Sequence, residues 1–283
     1  MSNMELFDFP AIDEFKTALE KYGTWPQTVW PIDYSNKITK RVKGLIGDKR
    51  NIEVRHQTIN GTFGYQQGAS IFNPQICSNI LNMFAPKQGI VFDPFAGGGT
   101  RALLTKCFGL EYEGVEIRQD EVDAIIKRCE SSGIVGGVKI VCADSRNLTD
   151  HFRDDYADFL ITCPPYWNLE QYEGGEGDLS MLSDYKTFLS EMRKVVNECF
   201  RILKPGALAC WVVGLHRDSE KWLTPLNHDI SNLHSIAGFK LKEEIILAHK
   251  NNGAIQRVGQ FEKGNKHLVR THEYCLIFKK EKS

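Results

Sequence analysis

The chain has 283 residues, 42% hydrophobic and 25% charged, an ordinary globular composition with enough apolar material for one large core. With 35 basic against 36 acidic residues the formal net charge is −1, which excludes a global pull on nucleic acid, so any such partner must be held by a local basic surface. No apolar stretch approaches the roughly 18 residues of a membrane span, and the acidic start MSNMELFDFPAIDEF lacks a signal-peptide pattern; with eight cysteines and no CxxC pair, the expectation is a soluble protein of a reducing cytoplasm.

In chain order, residues 12–22 form a short amphipathic piece, and YGTWPQTVWPIDYSN follows with two Trp-Pro pairs that oppose helix and suggest a packed irregular arm. The next stretch, KITKRVKGLIGDKRNIEVRH, sets Lys37, Lys40, Arg41, Lys43, Lys49, Arg50 and Arg55 against Asp48 and Glu53, either a phosphate-contacting surface or a solvated basic face. From residue 74 the pattern turns regular. A helix over Pro74–Phe84 is followed by strand 90–93, helix 99–108, strand 111–116, helix 118–131, strands 138–142 and 157–162, helix 184–203, strand 207–213, helix 226–236 and strands 239–248 and 271–279. Strands alternating with amphipathic helices predict an α/β fold, a mostly parallel seven-stranded sheet covered on both faces with an antiparallel terminal strand. Residues 1–69 are an amino-terminal arm with a basic segment, and 70–283 one domain.

The first strand ends in FDPFAGGGT, residues 92–100. In such sheets ligands bind beyond the carboxyl ends of the strands, at the first strand-to-helix turn. Gly97, Gly98 and Gly99 remove Cβ atoms that would block that approach, and Asp93 is expected to face the crevice. The turn has neither the GxGxxG spacing of a dinucleotide site nor a following GK[ST], and an acid at the strand tip suits a ligand with a positive centre better than a polyphosphate. The next two strands also finish in acids, Glu116 before Ile117 and Asp144 before Ser145. Each acid alone could be a helix cap; three in register with a glycine turn point to an adenosine-type ligand.

The strand DYADFLIT runs into Cys163-Pro164-Pro165-Tyr166, a stiff corner presenting carbonyl oxygens and an aromatic ring at the same sheet edge. With these two motifs, residues 70 to 279 resemble the S-adenosylmethionine-dependent DNA amino-methyltransferases, whose signatures are DPFxGxGT and [DNS]PP[YFW]. The resemblance implies a Rossmann-like class I methyltransferase fold, cofactor motif first, and a bacterial or phage-infected cytoplasm. It implies that Asp93, Pro94, Phe95, Gly97, Gly98 and Thr100 bind S-adenosylmethionine, with Glu116 and Ile117 at the ribose and Asp144 and Ser145 at the adenine. Phe72 and Asn73 resemble the element that closes over the methionine end, although Asn-Pro is equally a plain helix start. It further implies that Tyr166 stacks on an extruded base while acceptors at position 163 and the Pro164 carbonyl pull on the two N–H bonds of an exocyclic amine.

Cys163 departs from the family pattern, because thiol sulfur is a weak acceptor. As a near-isostere of serine it favours the cytosine N4 versions over the adenine N6 versions. The departure also leaves open a catalytically impaired cofactor- and nucleic-acid-binding module, and related corners that serve guanine or glutamine amides leave open an RNA or protein amide methyltransferase. DNA contact is assigned to residues 249–270, where Lys250, Arg257, Lys263, Lys266 and Arg270 alternate with Asn, Gln and Gly; a solvated hairpin is the alternative. The eight histidines have no metal-ligand spacing, so no metal is expected, and nothing decides between monomer and homodimer.

Overall fold

Eight strands form one sheet in the computed structural model, which describes residues 27–33, 35, 37–46, 72–167, 175–215, 217–218, 220, 222–249, 266–268 and 270–282. The strands are β1 (Val29–Ile32), β2 (Ile90–Asp93), β3 (Glu111–Glu116), β4 (Val138–Cys142), β5 (Ala157–Thr162), β6 (Leu203–Val213), β7 (Phe239–His249) and β8 (His272–Lys280). The helices are α1 (Lys37–Ile46), α2 (Pro74–Phe84), α3 (Thr100–Cys107), α4 (Gln119–Ser131), α5 (Tyr185–Ile202) and α6 (Leu226–Ala237). The strand order is β1-β7-β8-β6-β5-β2-β3-β4, and β8 alone runs antiparallel to its two neighbours.

The central strands are buried on both faces, and the alternation of their side chains divides the core in two. Val91, Phe159, Ile161, Cys210 and Val212 pack with Val42, Ile80, Leu103 and Ile125 of α1 to α4. Phe92, Leu160, Trp211 and Val213 pack with Phe188, Met192, Val195 and Cys199 of α5 and with Ile230 of α6. The helix boundaries follow from local chemistry. Asn73 caps α2 through Oδ1, with Pro74 in the first turn, Asp184 caps α5 by accepting from Thr187 N, and Gly238 at φ 105° ends α6.

Two sequence expectations are corrected. The irregular arm contains an eighth strand, since Val29–Ile32 pairs in parallel with Ile246–His249. Pro31 is tolerated there because β1 is an edge strand, where a missing N–H breaks no ladder on the open side. The second correction is that β6 begins at Leu203, directly after α5, where Leu203 pairs with Ala157. Lys280 holds this junction by donating to the Phe200 and Leu203 carbonyls.

Candidate functional site

Strand order alone sets the sequence of groups along the carboxyl edge of the sheet. From β4 toward β8 come Asp144, Glu116, Pro94-Phe95, Cys163–Tyr166 and Gly214; Glu273 follows, because antiparallel β8 starts at the edge where its neighbours end. At about 4.8 Å per strand, the five spacings from β4 to β8 cover roughly 24 Å. All of these residues except Gly214 line one cavity of about 300 Å³, together with Phe72 and Asn73 from the start of α2. The glycine turn and the diproline corner therefore open on the same space. Gly97 and Gly99 sit at φ 54° and 83°, backbone that a side chain would strain, which accounts for two of the three glycines.

The Asp93 carboxylate does not face this cavity, contrary to expectation. It is fully buried, and its Oδ1 accepts from Phe95 N at 3.0 Å and Thr162 Oγ1 at 2.7 Å while Oδ2 accepts from Arg101 Nε at 2.5 Å and Tyr112 Oη at 2.7 Å. Four donors from β3, β5, α3 and its own turn offset the cost of burying the charge. Because Thr162 immediately precedes Cys163, this carboxylate joins the cofactor turn to the diproline corner. Thr100 is likewise absent from the cavity wall: it is 2% exposed, and its hydroxyl has no partner among the described residues. Its neighbour Arg101 does line the wall, lies over the Phe72 ring at 4.7 Å, and is held protonated against the cost of burial by Asp93.

On the β3–β4 side, Glu116 Oε2 accepts from Gly97 N at 3.2 Å and Oε1 from Arg118 N at 3.2 Å, pinning the glycine turn. Ser145 donates to the Pro94 carbonyl. Asp144 accepts from the Arg146 backbone and guanidinium, and Arg146 also reaches Glu191 at 2.6 Å. Burial opposes ionisation of Asp144, but those hydrogen bonds win and lower its pKa. Most of its acceptor capacity is thus taken up by Arg146, which narrows the expected role at an adenine amine. Gly177 closes over this end; a Cβ there would collide with Ile117 and sit 3.1 Å from Asp144 Oδ2.

Asn73 does two things at once. Its Oδ1 accepts from Gln75 N and Ile76 N, so it is a helix cap, while its Nδ2, on a residue that lines the cavity, is a buried donor with no partner among the described residues. A buried unpaired N–H₂ costs about 1–3 kcal/mol unless a ligand accepts from it. This orphan donor, the Arg101 guanidinium, the Glu116 carboxylate and the close approach at Gly177 fit a zwitterionic adenosine derivative such as S-adenosylmethionine.

At the other end, Cys163, Pro164, Pro165 and Tyr166 all line the cavity. Gly214 backs the Tyr166 ring, with space for no more than hydrogen: a Cβ would lie 3.0 Å from Cε2. The Tyr166 hydroxyl is 3.6 Å from Cys163 Sγ and 3.2 Å from Glu273 Oε1. Burial first, then the charges of Cys163 and Glu273, push its pKa well above the ordinary tyrosine range, so it keeps its proton.

Of the five residues assigned to DNA contact, Lys250, Arg257 and Lys263 lie outside the described residues. Lys266 is exposed and Arg270 half-buried, both in the approach to β8. Burial and the nearby Arg217 lower the Arg270 pKa, so two guanidinium groups lie near one another. Sequence reasoning missed Arg101, Arg118, Glu121, Leu179 and Glu273 on the cavity wall. Arg101 carried a signal, a cation directly after GGGT at the head of an apolar helix; Glu273 carried one too, an acid entering the apolar run YCLIF. Among the described residues, no three His, Cys, Asp or Glu side chains gather as metal ligands do, and no helix is long and apolar enough to cross a membrane.

The chain is 24% identical over 156 residues to the Type II beta methyltransferase M.BslI of Bacillus sp. (strain NEB-606), covering 51% of this chain and 16% of that protein. It is 32% identical over 60 residues to the Type II methyltransferase M.ScaI of Streptomyces caespitosus, covering 21% of this chain and 20% of that one. The matches therefore span about a sixth and a fifth of those relatives' own length. A putative sarcosine dimethylglycine methyltransferase from Galdieria sulphuraria has the same fold, with a TM-score of 0.53 at 14% identity over 89% of this chain and all of that one. The family model described as DNA methylase matches residues 8–128 and 157–283, which takes in both motifs, the orphan donor at Asn73 and the last strand: the chain belongs to the N6/N4 DNA methylase family.

Proposed function

We propose that the protein transfers a methyl group from S-adenosylmethionine to the exocyclic amino group of a base in DNA, cytosine N4 ahead of adenine N6. The observation that carries this reading is the single cavity shared by the glycine turn and the diproline corner. Both curated relatives are named Type II methyltransferases, which supports DNA as the substrate and a restriction-modification setting.

When bound, S-adenosylmethionine supplies an electrophilic methyl group on a sulfonium. The protein's own part is to hold and orient. Glu116 accepts from ribose hydroxyls, and Asn73 Nδ2 with the Arg101 guanidinium receives a carboxylate. Tyr166 stacks on the flipped base, returning about 1–3 kcal/mol against an extrusion cost of a few kcal/mol. The Pro164 carbonyl accepts one N–H of the amine, and Cys163 occupies the position facing the other. Placement of amine and methyl in line supplies the bulk of the acceleration. Cys163 in the place of serine is the reason for ranking cytosine first. Arg217, Lys266 and Arg270 contact phosphates, so DNA affinity falls with salt.

The test is incubation with methyl-labelled cofactor and DNA of varied sequence, followed by nucleoside analysis. N4-methylcytosine is the expected product, and N6-methyladenine would reverse the ranking. Label entering RNA or protein but not DNA would overturn the proposal in favour of an amide or RNA methyltransferase.

A further inference from the structure

Glu273 belongs to neither sequence motif, yet it is hydrogen-bonded to one of them. Its Oε1 meets the Tyr166 hydroxyl at 3.2 Å and its Oε2 meets His249 Nε2 at 2.9 Å. Tyr166 Oη is in turn 3.6 Å from Cys163 Sγ. Tyr166 is a neutral hydroxyl with one proton to give, and a carboxylate is a stronger acceptor than a thiol. The O–H therefore points at Glu273, its lone pairs face Cys163, and the S–H donates to them. That direction makes the thiol the donor and Tyr166 the acceptor in the 3.6 Å contact, on a corner that lines the cavity.

The other carboxylates of the cavity wall are committed elsewhere. Glu121 pairs with Arg118 and Arg128, Asp144 with Arg146, Asp178 accepts from Ser180, and Glu116 holds the Gly97 and Arg118 amides. Strand order puts all but Asp178 on the β3–β4 side, leaving Glu273 as the lining carboxylate contributed by β8, beyond the diproline corner. Methylation of an amine must release one proton, and Pro164 offers only a carbonyl to the other N–H.

The geometry points to Glu273, backed by His249, as the terminal acceptor of the proton lost by the target amine, reached through Cys163 and Tyr166. The inference rests on the methyl-transfer reading above. In that reaction the N–C bond forms as the S–C bond of the sulfonium breaks, its electron pair staying on sulfur, and the nitrogen is left with one proton too many. That proton passes to Cys163 Sγ as the thiol proton passes to Tyr166 Oη and the hydroxyl proton to Glu273 Oε1; the N–H electron pair stays on nitrogen. Glu273 ends as a carboxylic acid and returns the proton to water, to which its side chain is 30% exposed. In this scheme Glu273 and His249 are positioning residues for the corner, and the proton path requires Glu273 to be ionised. The titratable and charged groups around it are His249 from β7, Tyr166 and Cys163 after β5, His272 and Tyr274 on its own strand, and Arg270 near Tyr274 with Arg217 near Arg270; Arg101 acts on Cys163 from α3.

The experiment measures single-turnover methyl transfer to DNA at a fixed pH near 7.5 for the wild type, Glu273→Gln, Glu273→Asp and Tyr166→Phe, with cofactor affinity by calorimetry alongside. Glu273→Gln and Tyr166→Phe should be slower by on the order of 100-fold with cofactor Kd unchanged, while Glu273→Asp, which keeps a carboxylate, should recover at least tenfold of the loss. A Glu273→Gln enzyme within fivefold of the wild type, or a Glu273→Asp enzyme as slow as Glu273→Gln, overturns the proposal. A second readout needs neither DNA nor cofactor: Cys163 alkylation by iodoacetamide, located by mass spectrometry. Removing the Glu273 charge should speed it at least about threefold, since a nearby anion disfavours the thiolate; an unchanged rate overturns the hydrogen-bond line. If the wild type methylates no DNA the functional reading fails, and alkylation alone then decides the hydrogen-bond line.

Discussion

Asp93→Asn separates a structural keystone from a cofactor ligand. The Asp93–Arg101 pair is 0% and 5% exposed at the side chains, so neither charge can turn to water when the other is lost. Asn keeps an Oδ1 that accepts from Thr162 and Phe95, and Tyr112 can reverse its hydroxyl to accept from the new amide, so the loss concentrates at Arg101. Removing one partner of a buried ion pair costs about 3–5 kcal/mol, whereas replacing both by apolar groups of similar volume is often nearly neutral. At about 2–4 °C per kcal/mol for a chain of this size, Asp93→Asn should lower Tm by roughly 10 °C. Arg101→Met should do the same by stranding the carboxylate. The assay is a double-mutant cycle by urea unfolding at a fixed pH near 7. The double variant should be more stable than the two single losses predict, by about 2 kcal/mol or more. Additivity within about 0.5 kcal/mol, or an Asp93→Asn variant that melts like the wild type but has lost cofactor affinity, would refute the reasoning and return Asp93 to the cavity.

The remaining variants probe the two ends of the cavity and the core. Asn73→Asp keeps the helix cap through Oδ1 but replaces the orphan donor with a second carboxylate; cofactor Kd should rise at least about tenfold at nearly unchanged Tm, and a Kd within twofold would show that Nδ2 meets no ligand. Gly214→Ala puts a methyl 3.0 Å from Tyr166 Cε2 and displaces the ring by a few tenths of an ångström, so methyl transfer should fall on the order of tenfold while cofactor binding is untouched. His234 is fully buried, stacked on Phe278 at 3.9 Å, and bonded through Nδ1 to the Ile230 carbonyl. Burial drives its pKa down to about 3. The unfolded chain takes up a proton as pH falls through about 6.5 and the folded chain does not, so this residue removes about 1.4 kcal/mol of stability per pH unit from pH 6 toward pH 3. His234→Phe should flatten that part of the curve relative to the wild type, measured by urea unfolding at each pH.

Most of the architecture was legible because it rests on local periodicity. Phe188, Met192, Val195 and Cys199 recur at helical spacing, and all four are buried against the sheet as that spacing requires. The edge strand Val29–Ile32 was hidden by Pro31, whose missing N–H argues against a strand until the partner on one side only is known. The site was legible to the extent that it is made of consecutive residues. Gly97, Cys163, Pro164 and Tyr166 announced themselves as turns with unusual backbone demands. What stayed invisible is what the sheet assembles from distant positions. Asp93 sits in the motif, but only the approach of Thr162, Tyr112 and Arg101 decides that its carboxylate points inward instead of toward a ligand. Glu273 has no motif at all; it reaches the corner because the last strand is antiparallel, so its first residues, and not its last, arrive at the carboxyl edge of the sheet. A parallel eighth strand would have left Glu273 at the far edge and brought the lysines at its end to the Tyr166 hydroxyl, donors where the corner calls for an acceptor. The reversal of that one strand is thus a condition for a carboxylate at the diproline corner, and strand direction is a property of topology that the ten residues around Glu273 do not encode.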